Sequence, residues 1–292
     1  MRHVTQYGTG QLDDQAFAEW LAERAGAALT ALREQRGFAD PAALKDAGDR
    51  RSHELMTTAL ARWRPADAVL SEEQADARRA WSGGERAARL DAERVWIIDP
   101  LDGTREFSEA GRTDWAVHVA LWRRSAGPDG GLVAGAVGLP ARPTLDGGQL
   151  VLGTGCPTPP AANGPIRIAV SRSRPPAFVG ELVQLLDAQA VPMGSAGVKV
   201  CAVVTGEADA YVHAGGQYEW DSAAPVAVAQ GAGMHASRID GSPLRYNRAD
   251  PRLPDLLVCR PELADRLLDA IARTGVEMPA SAVTGSTGQA FG

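Results

Sequence analysis

Two aspartates three positions apart, Asp99 and Asp102 in the segment WIIDPLDGT (96–104), form the pattern in this chain with the most evident chemistry. The apolar run Val95 to Ile98 delivers Asp99, and Pro100 and Gly103 bend the chain so that Asp102 turns back toward the same point. Like charges held about 4 Å apart repel by roughly 4 kcal/mol at an effective dielectric near 20, so such a pair needs a proton, a cation or more distance. A divalent cation is the simplest compensation. Carboxylate and backbone carbonyl oxygens are hard ligands, which suit Mg²⁺ or Mn²⁺ better than zinc. On these residues alone an ordinary Asp-rich turn fits as well. Further carboxylates stand far away in the sequence: Asp49 in KDAGDRRSHEL, Glu72 and Glu73 after Ala68 to Leu70, and Asp221 in EWDSAAP. Taken singly, the glutamates read as solvated charges and Asp221 as a helix N-cap.

The elements that must position these groups follow from periodicity. Phe17, Trp20, Leu21, Ala25, Ala28, Leu29 and Leu32 recur at helical spacing between Asp13, placed to cap the start, and Gly37, placed to end it. A second helix is expected from about Arg50 to Trp63, stopped by Pro65, with Asp49 at its N-cap. Val95 to Ile98 reads as a strand. Trp115, Val117, Val119 and Leu121 alternate like a half-buried strand, and a turn at Gly127 to Gly131 leads into Leu132 to Leu139. The breaker-rich stretch GTGCPTPPAANGP (153–165) reads as a linker. Beyond it, strands (Ile166 to Val170, Ala210 to His213, Leu256 to Val258) alternate with helices (Pro176 to Ala188, Gly197 to Thr205, Asp221 to Gly231, Pro261 to Arg273), which argues α/β layering. The expected organisation is an α+β unit over 1–155, an α/β unit over 156–273 and a frayed tail over 274–292.

Composition narrows the function. With 292 residues, 45% hydrophobic and 23% charged, the chain can bury a sizeable core and is neither wholly disordered nor fibrous. Thirty basic residues against 36 acidic ones give a formal charge of −6, so no general affinity for a nucleic-acid polymer is expected and any phosphate site is local. Cys156, Cys201 and Cys259 are odd in number and widely spaced, which favours neither disulfides nor a zinc cluster. The first residues lack a secretion signal and no apolar run approaches the roughly 18 residues of a membrane span, so a soluble, cytoplasmic protein without a membrane partner is expected. His118 and Cys201 read as structural, and Trp20, Trp63 and Trp122 as packing residues.

Ser71-Glu72-Glu73, DPLDGT at 99–104 and Trp220-Asp221-Ser222-Ala223-Ala224-Pro225 occur in the order and separations of the inositol monophosphatase family, which the chain resembles from about Asp13 to Arg273. The family counterparts are Gly-Glu-Glu, DPLDGT itself and Trp-Asp-x-Ala-Ala. Haloacid dehalogenase phosphatases also end a strand in an acidic motif, but there the second Asp follows two positions after a nucleophilic first. The spacing of three here predicts ligation by both aspartates and no phospho-aspartyl intermediate. The resemblance implies a layered αβαβα sandwich, with an α+β half bearing the metals and an α/β half closing over the substrate. It implies two or three Mg²⁺ ions, replaceable by Mn²⁺: one held by Glu72, Asp99 and the Leu101 carbonyl, a second by Asp99, Asp102 and Asp221, with Glu73 supporting them. It further implies phosphate contacts from the Gly103 and Thr104 backbones, and a water oriented by the Thr104 hydroxyl and relieved of its proton by Asp49. Ala47-Gly48-Asp49 lacks the hydroxyl residue the family usually carries before that Asp. Lithium inhibition is a further implication.

Inositol-specific members carry a Glu seven residues before the second-signature Asp, where this chain has Ala214. HAGGQYEWDSAAP, GSAGVKV (194–200) and AVSRSRPP (169–176) instead resemble the bacterial adenosine bisphosphate phosphatases of the family. A substrate with two phosphates needs cationic or N–H donors at the end remote from the metals. Lys199, Arg172 and Arg174 are candidates, with Ser171 and Ser173 as hydroxyl donors and Tyr218 against adenine. The expected reaction is removal of the 3′-phosphate of 3′-phosphoadenosine 5′-phosphate to give AMP. The alternatives are a broader inositol-1-phosphate and fructose-1,6-bisphosphate phosphatase, and a metal- or nucleotide-binding module without turnover. Members of the family are monomers or homodimers, and one chain does not distinguish them.

Overall fold

A computed structural model describes residues 12–73, 88–160 and 164–276. The chain's first residues, 161–163 of the expected linker and most of the expected tail lie outside the described residues.

Helix α1 (Asp14–Arg36) is capped as expected, the Asp13 carboxylate accepting from Ala16 N. Helix α2 (Pro41–Trp63) starts well before Arg50, because Asp40 accepts from Ala43 N and Pro41 occupies the first turn, where its missing N–H is no loss. Asp49 therefore stands mid-helix and is not an N-cap. A five-stranded sheet follows the order β1 (Ala68–Ser71), β2 (Arg94–Asp102), β3 (Ala116–Arg123), β4 (Gly131–Pro143) and β5 (Gln149–Gly153), parallel between β1 and β2 and antiparallel thereafter. The short helix α3 (Thr104–Ser108) follows β2 directly. The second sheet runs β7–β6–β8–β10–β9, from β6 (Arg167–Ser171), β7 (Gln189–Met193), β8 (Ala210–Tyr218), β9 (His235–Ser237) and β10 (Arg252–Cys259). Helices α4 (Val179–Leu186), α5 (Ala196–Thr205), α6 (Glu219–Gly231) and α7 (Ala264–Arg273), the last preceded by a 3-10 turn at Pro261–Leu263, pack around the two sheets.

Three hydrophobic clusters define the layers. In the first, Phe17, Leu21 and Leu29 of α1 and Met56 of α2 meet Trp96, Ile98, Val117 and Val119. In the second, Val95, Ile97, Ala116 and Ala120 face Val200 and Val204 of α5, Trp220 and Val226 of α6, and Leu256 and Val258 of the second sheet. In the third, Ile168, Val212 and Leu257 meet Leu182 of α4 and Leu267 and Ile271 of α7. The order is helices, sheet, helices, sheet, helices: the expected αβαβα sandwich. Strand β3 is buried on both faces, not half-buried, since α1 covers one side and α5 and α6 the other. Period-2 alternation turns 96 and 98 outward to α1 and α2 and 95 and 97 to the middle layer, so Asp99 also faces the middle layer, where α6 begins. No helix among the described residues is long and apolar enough to cross a membrane, and the three cysteines are free.

Candidate active site

The acidic turn is built by the end of β2. Its pairing with β3 shifts register between Asp99 and Asp102, which brings the second carboxylate back beside the first. Leu101 N donates to Asp99 Oδ1 at 3.0 Å, Ser52 of α2 donates to the Pro100 carbonyl at 2.6 Å, and Thr104 Oγ1 donates to the Leu101 carbonyl at 3.2 Å. Gly103 sits at φ 85°, ψ 41°, the left-handed region where a side chain is strained, and a Cβ would lie 3.2 Å from the Asp114 carbonyl. Helix α6 supplies the third aspartate. Asp221 lies inside its first turn rather than at the cap, and accepts from Tyr218 N at 2.6 Å. One carboxylate oxygen from each of Asp99, Asp102 and Asp221 falls within 4.8 Å of the others.

Crowding these charges where water is scarce changes their titration. Burial, then the charges of Glu72, Asp102 and Asp221, pushes the Asp99 carboxyl far above the usual range. Asp221 is pushed up to about 8 by burial and by Asp102. Glu72 is pushed up to about 7 by burial and the charges of Asp102, Asp49 and Glu73, against a hydrogen bond it shares with Asp99. Asp102 goes the other way: burial opposes its charge, but the His118 ring beside it and hydrogen bonds from Ser195 and Gly197 N outweigh it and hold the carboxyl low. An all-oxygen donor set that holds protons in place of a counter-charge fits a hard dication.

The structure thus gathers Asp49, Glu72, Glu73, Asp99, Asp102 and Asp221 into one electrostatic cluster, with Leu101, Gly103 and Thr104 on the turn beside it. The residues expected at the substrate are placed differently. Lys199 is 5% exposed, and its ammonium donates to the carbonyls of Gly194 (2.8 Å) and Ser195 (2.6 Å) over the Tyr211 ring, in place of the open phosphate contact expected of it. Arg172, exposed on the loop after β6, donates to Glu106 (2.7 Å) and Glu109 (3.1 Å). Ser171 Oγ accepts from Arg174 N at 3.1 Å, and Ser173 and Arg174 are exposed. Tyr218 is half-buried and stacks on Trp220, the ring centroids 4.6 Å apart.

Two groups at Asp102 escaped the sequence reading. His118 is fully buried, with Nε2 3.3 Å from Asp102 Oδ2 and Nδ1 3.0 Å from the Trp220 carbonyl. Ser195 Oγ donates to the same Oδ2 at 2.5 Å. In the sequence His118 falls between the apolar-reading Val117 and Val119, on the other parity of the strand, and its place opposite Asp99 follows only from the pairing of β3 with β2.

A sequence profile of the inositol monophosphatase family matches residues 11–274. A 3′-phosphoadenosine 5′-phosphate phosphatase from Mycobacterium leprae is 52% identical over 269 residues, covering 89% of this chain and 94% of its own. The 3′(2′),5′-bisphosphate nucleotidase CysQ of Escherichia coli is 31% identical over 203 residues, covering 68% and 78% respectively. The solved structure of CysQ from Bacteroides thetaiotaomicron, a bacterial member of the inositol monophosphatase family, matches with a TM-score of 0.65 at 24% identity, covering 83% of this chain and 95% of the other.

Proposed function

The chain belongs to the inositol monophosphatase family, a family of metal-dependent phosphatases, and we propose that it removes the 3′-phosphate of 3′-phosphoadenosine 5′-phosphate to give AMP. The observation that carries the chemistry is the convergence of Asp99, Asp102 and Asp221 within 4.8 Å, beside a Glu72 pushed up to about 7. The substrate rests on relatives more than half identical over most of the chain.

In this reading Glu72, Asp99 and the Leu101 carbonyl hold one Mg²⁺ and Asp99, Asp102 and Asp221 a second, with Mn²⁺ able to replace them. Dications held there would polarise the phosphate oxygens and lower the pKa of a bound water toward neutral. Everything else falls to the chain. Gly103 and Thr104 offer backbone N–H groups to the phosphate. The Thr104 hydroxyl orients the attacking water, and Asp49, on the helix that anchors the turn through Ser52, receives its proton. Glu73 supports Glu72 and weighs on its charge. The remote phosphate is met by the loop after β6, through Ser171, Ser173 and Arg174. Arg172 on that loop is already paired with two carboxylates. Tyr218 lies against adenine. The proposed setting is the cytoplasm, where such a bisphosphate is left over from sulfation chemistry.

Phosphate release by the purified protein in Mg²⁺ tests the reading. The expected kcat/KM for the adenosine bisphosphate exceeds those for inositol 1-phosphate and fructose 1,6-bisphosphate by about tenfold or more. Similar values on all three identify a broader phosphatase, and tight binding without phosphate release overturns the enzyme.

A further inference from the structure

Asp102 is contributed by the first sheet, yet most of what fixes it comes from the entry to α5. Two donors converge on its Oδ2, Ser195 Oγ at 2.5 Å and Gly197 N at 2.8 Å, and His118 Nε2 lies 3.3 Å from the same oxygen. The direction of the serine contact is set by a second bond. Ser195 Oγ accepts from Val198 N at 3.1 Å, so its own proton is left for Asp102. Ser195 makes this contact from a strained backbone, φ 34° and ψ 134°, which something must hold in place. The Lys199 ammonium does so. It grips the carbonyls on either side of that strained residue's N–H, those of Gly194 (2.8 Å) and Ser195 (2.6 Å), while Gly194 N donates to Asp114 at 2.6 Å.

We propose that Lys199 and Ser195 are positioning residues for the metal centre: Lys199 pins the 194–195 backbone, Ser195 anchors Oδ2 of Asp102, and Oδ1 is thereby presented to the cation. The inference rests on the metal-dependent reading above and deepens it. It also gives Lys199 a different task from gripping the remote phosphate. A buried ammonium already donating to two carbonyls has no cause to discriminate a bisphosphate from a monophosphate, but its loss frees the loop that orients a ligand.

Calorimetric titration of the metal-free protein with Mn²⁺, alongside kinetics on a bisphosphate and a monophosphate substrate, separates these roles. Groups that orient a metal ligand typically carry about 10- to 100-fold in metal affinity or activity. Ser195→Ala and Lys199→Met are each expected to weaken Mn²⁺ binding within that range and to lower kcat on both substrates alike. Should Lys199→Met fail to fold, as judged by near-UV circular dichroism, Ser195→Ala, which removes one oxygen, decides alone. Wild-type Mn²⁺ affinity in Ser195→Ala, or in Lys199→Met with KM raised only for the bisphosphate, overturns the inference while leaving the metal centre standing. If the wild-type protein takes up no Mn²⁺, the metal-centre reading falls, and the inference with it.

Discussion

Asp102 and Asp99 are neighbours with opposite electrostatic fates, and the difference makes the site responsive to metal. Asp102 is held low by the neighbouring His118 and by donors from Ser195 and Gly197, whereas Asp99, Asp221 and Glu72 are driven toward their protonated forms. Unfolded carboxyls titrate near about 4. In the folded, metal-free protein Glu72 titrates at about 7 and Asp221 at about 8. Between those limits the folded state retains protons that the unfolded chain has released, so stability falls as pH rises through this window. In the proposed reading Mg²⁺ would replace those protons and bind more tightly as they become easier to displace. The expected outcome is a metal-free Tm lower at pH 8 than at pH 5.5, and a Mg²⁺-induced rise in Tm larger at pH 8; scanning calorimetry with chelator or with Mg²⁺ measures both. Equal Mg²⁺ shifts at the two pH values would refute this account. The acidic residues were legible because their types and spacing are written locally and their signatures recur in order. His118 and Ser195 were not, since each acts on Asp102 only through the pairing of β2 with β3 and the docking of α5.

At the scale of elements, the closeness of α2 to the acidic turn depends on Gly48. A Cβ there would lie 2.7 Å from Phe107 Cε1 and 2.9 Å from Leu101 Cδ2, both in buried side chains. The second helix was expected only from about Arg50, with Asp49 at its cap; in the fold Gly48 marks a close contact inside a helix that Asp40 and Pro41 had already begun. Gly48→Ala gains helix propensity but overfills this contact, and overpacking of a core typically costs about 1–3 kcal/mol. The variant is expected to lose stability in that range in urea denaturation and to bind Mn²⁺ more weakly, because Leu101, whose carbonyl is assigned to the metal, must move. Unchanged stability would mean that α2 shifts freely and does not brace the turn. Strands β5, β7 and β9, which the sequence reading did not find, are short and stand at sheet edges. With one side unpaired they carry weak apolar alternation, so little in their residues announces them.

At the scale of the molecule, the layers follow from three separate apolar clusters, but periodicity alone reached only an α/β second half; the five-layer order came from the resemblance carried by the motifs. What that order accomplishes is to set the loop after β6 against α3, next to the turn that bears Thr104. Arg172 spans the gap, donating at 2.7 Å to Glu106, which is 5% exposed, and at 3.1 Å to Glu109. A guanidinium shared by two carboxylates is largely neutralised toward an incoming phosphate, whereas Arg174, two residues further on, holds its side chain exposed to solvent. The exposed Arg172–Glu109 pair contributes about 0–1 kcal/mol, and the pair with the buried Glu106 fixes where the loop sits against α3. The two arginines should therefore separate by measurement. Arg174→Ala is expected to raise KM for the adenosine bisphosphate by about 10- to 100-fold, since a charge-assisted contact to phosphate contributes about 1.5–3 kcal/mol, and to spare a monophosphate substrate. Arg172→Ala is expected to change KM for both substrates together and by less, because it loosens the loop rather than removing a phosphate ligand. A selective loss in Arg172→Ala with Arg174→Ala silent would reverse the assignment and mean that the substrate displaces Glu106 and Glu109 from Arg172 on binding.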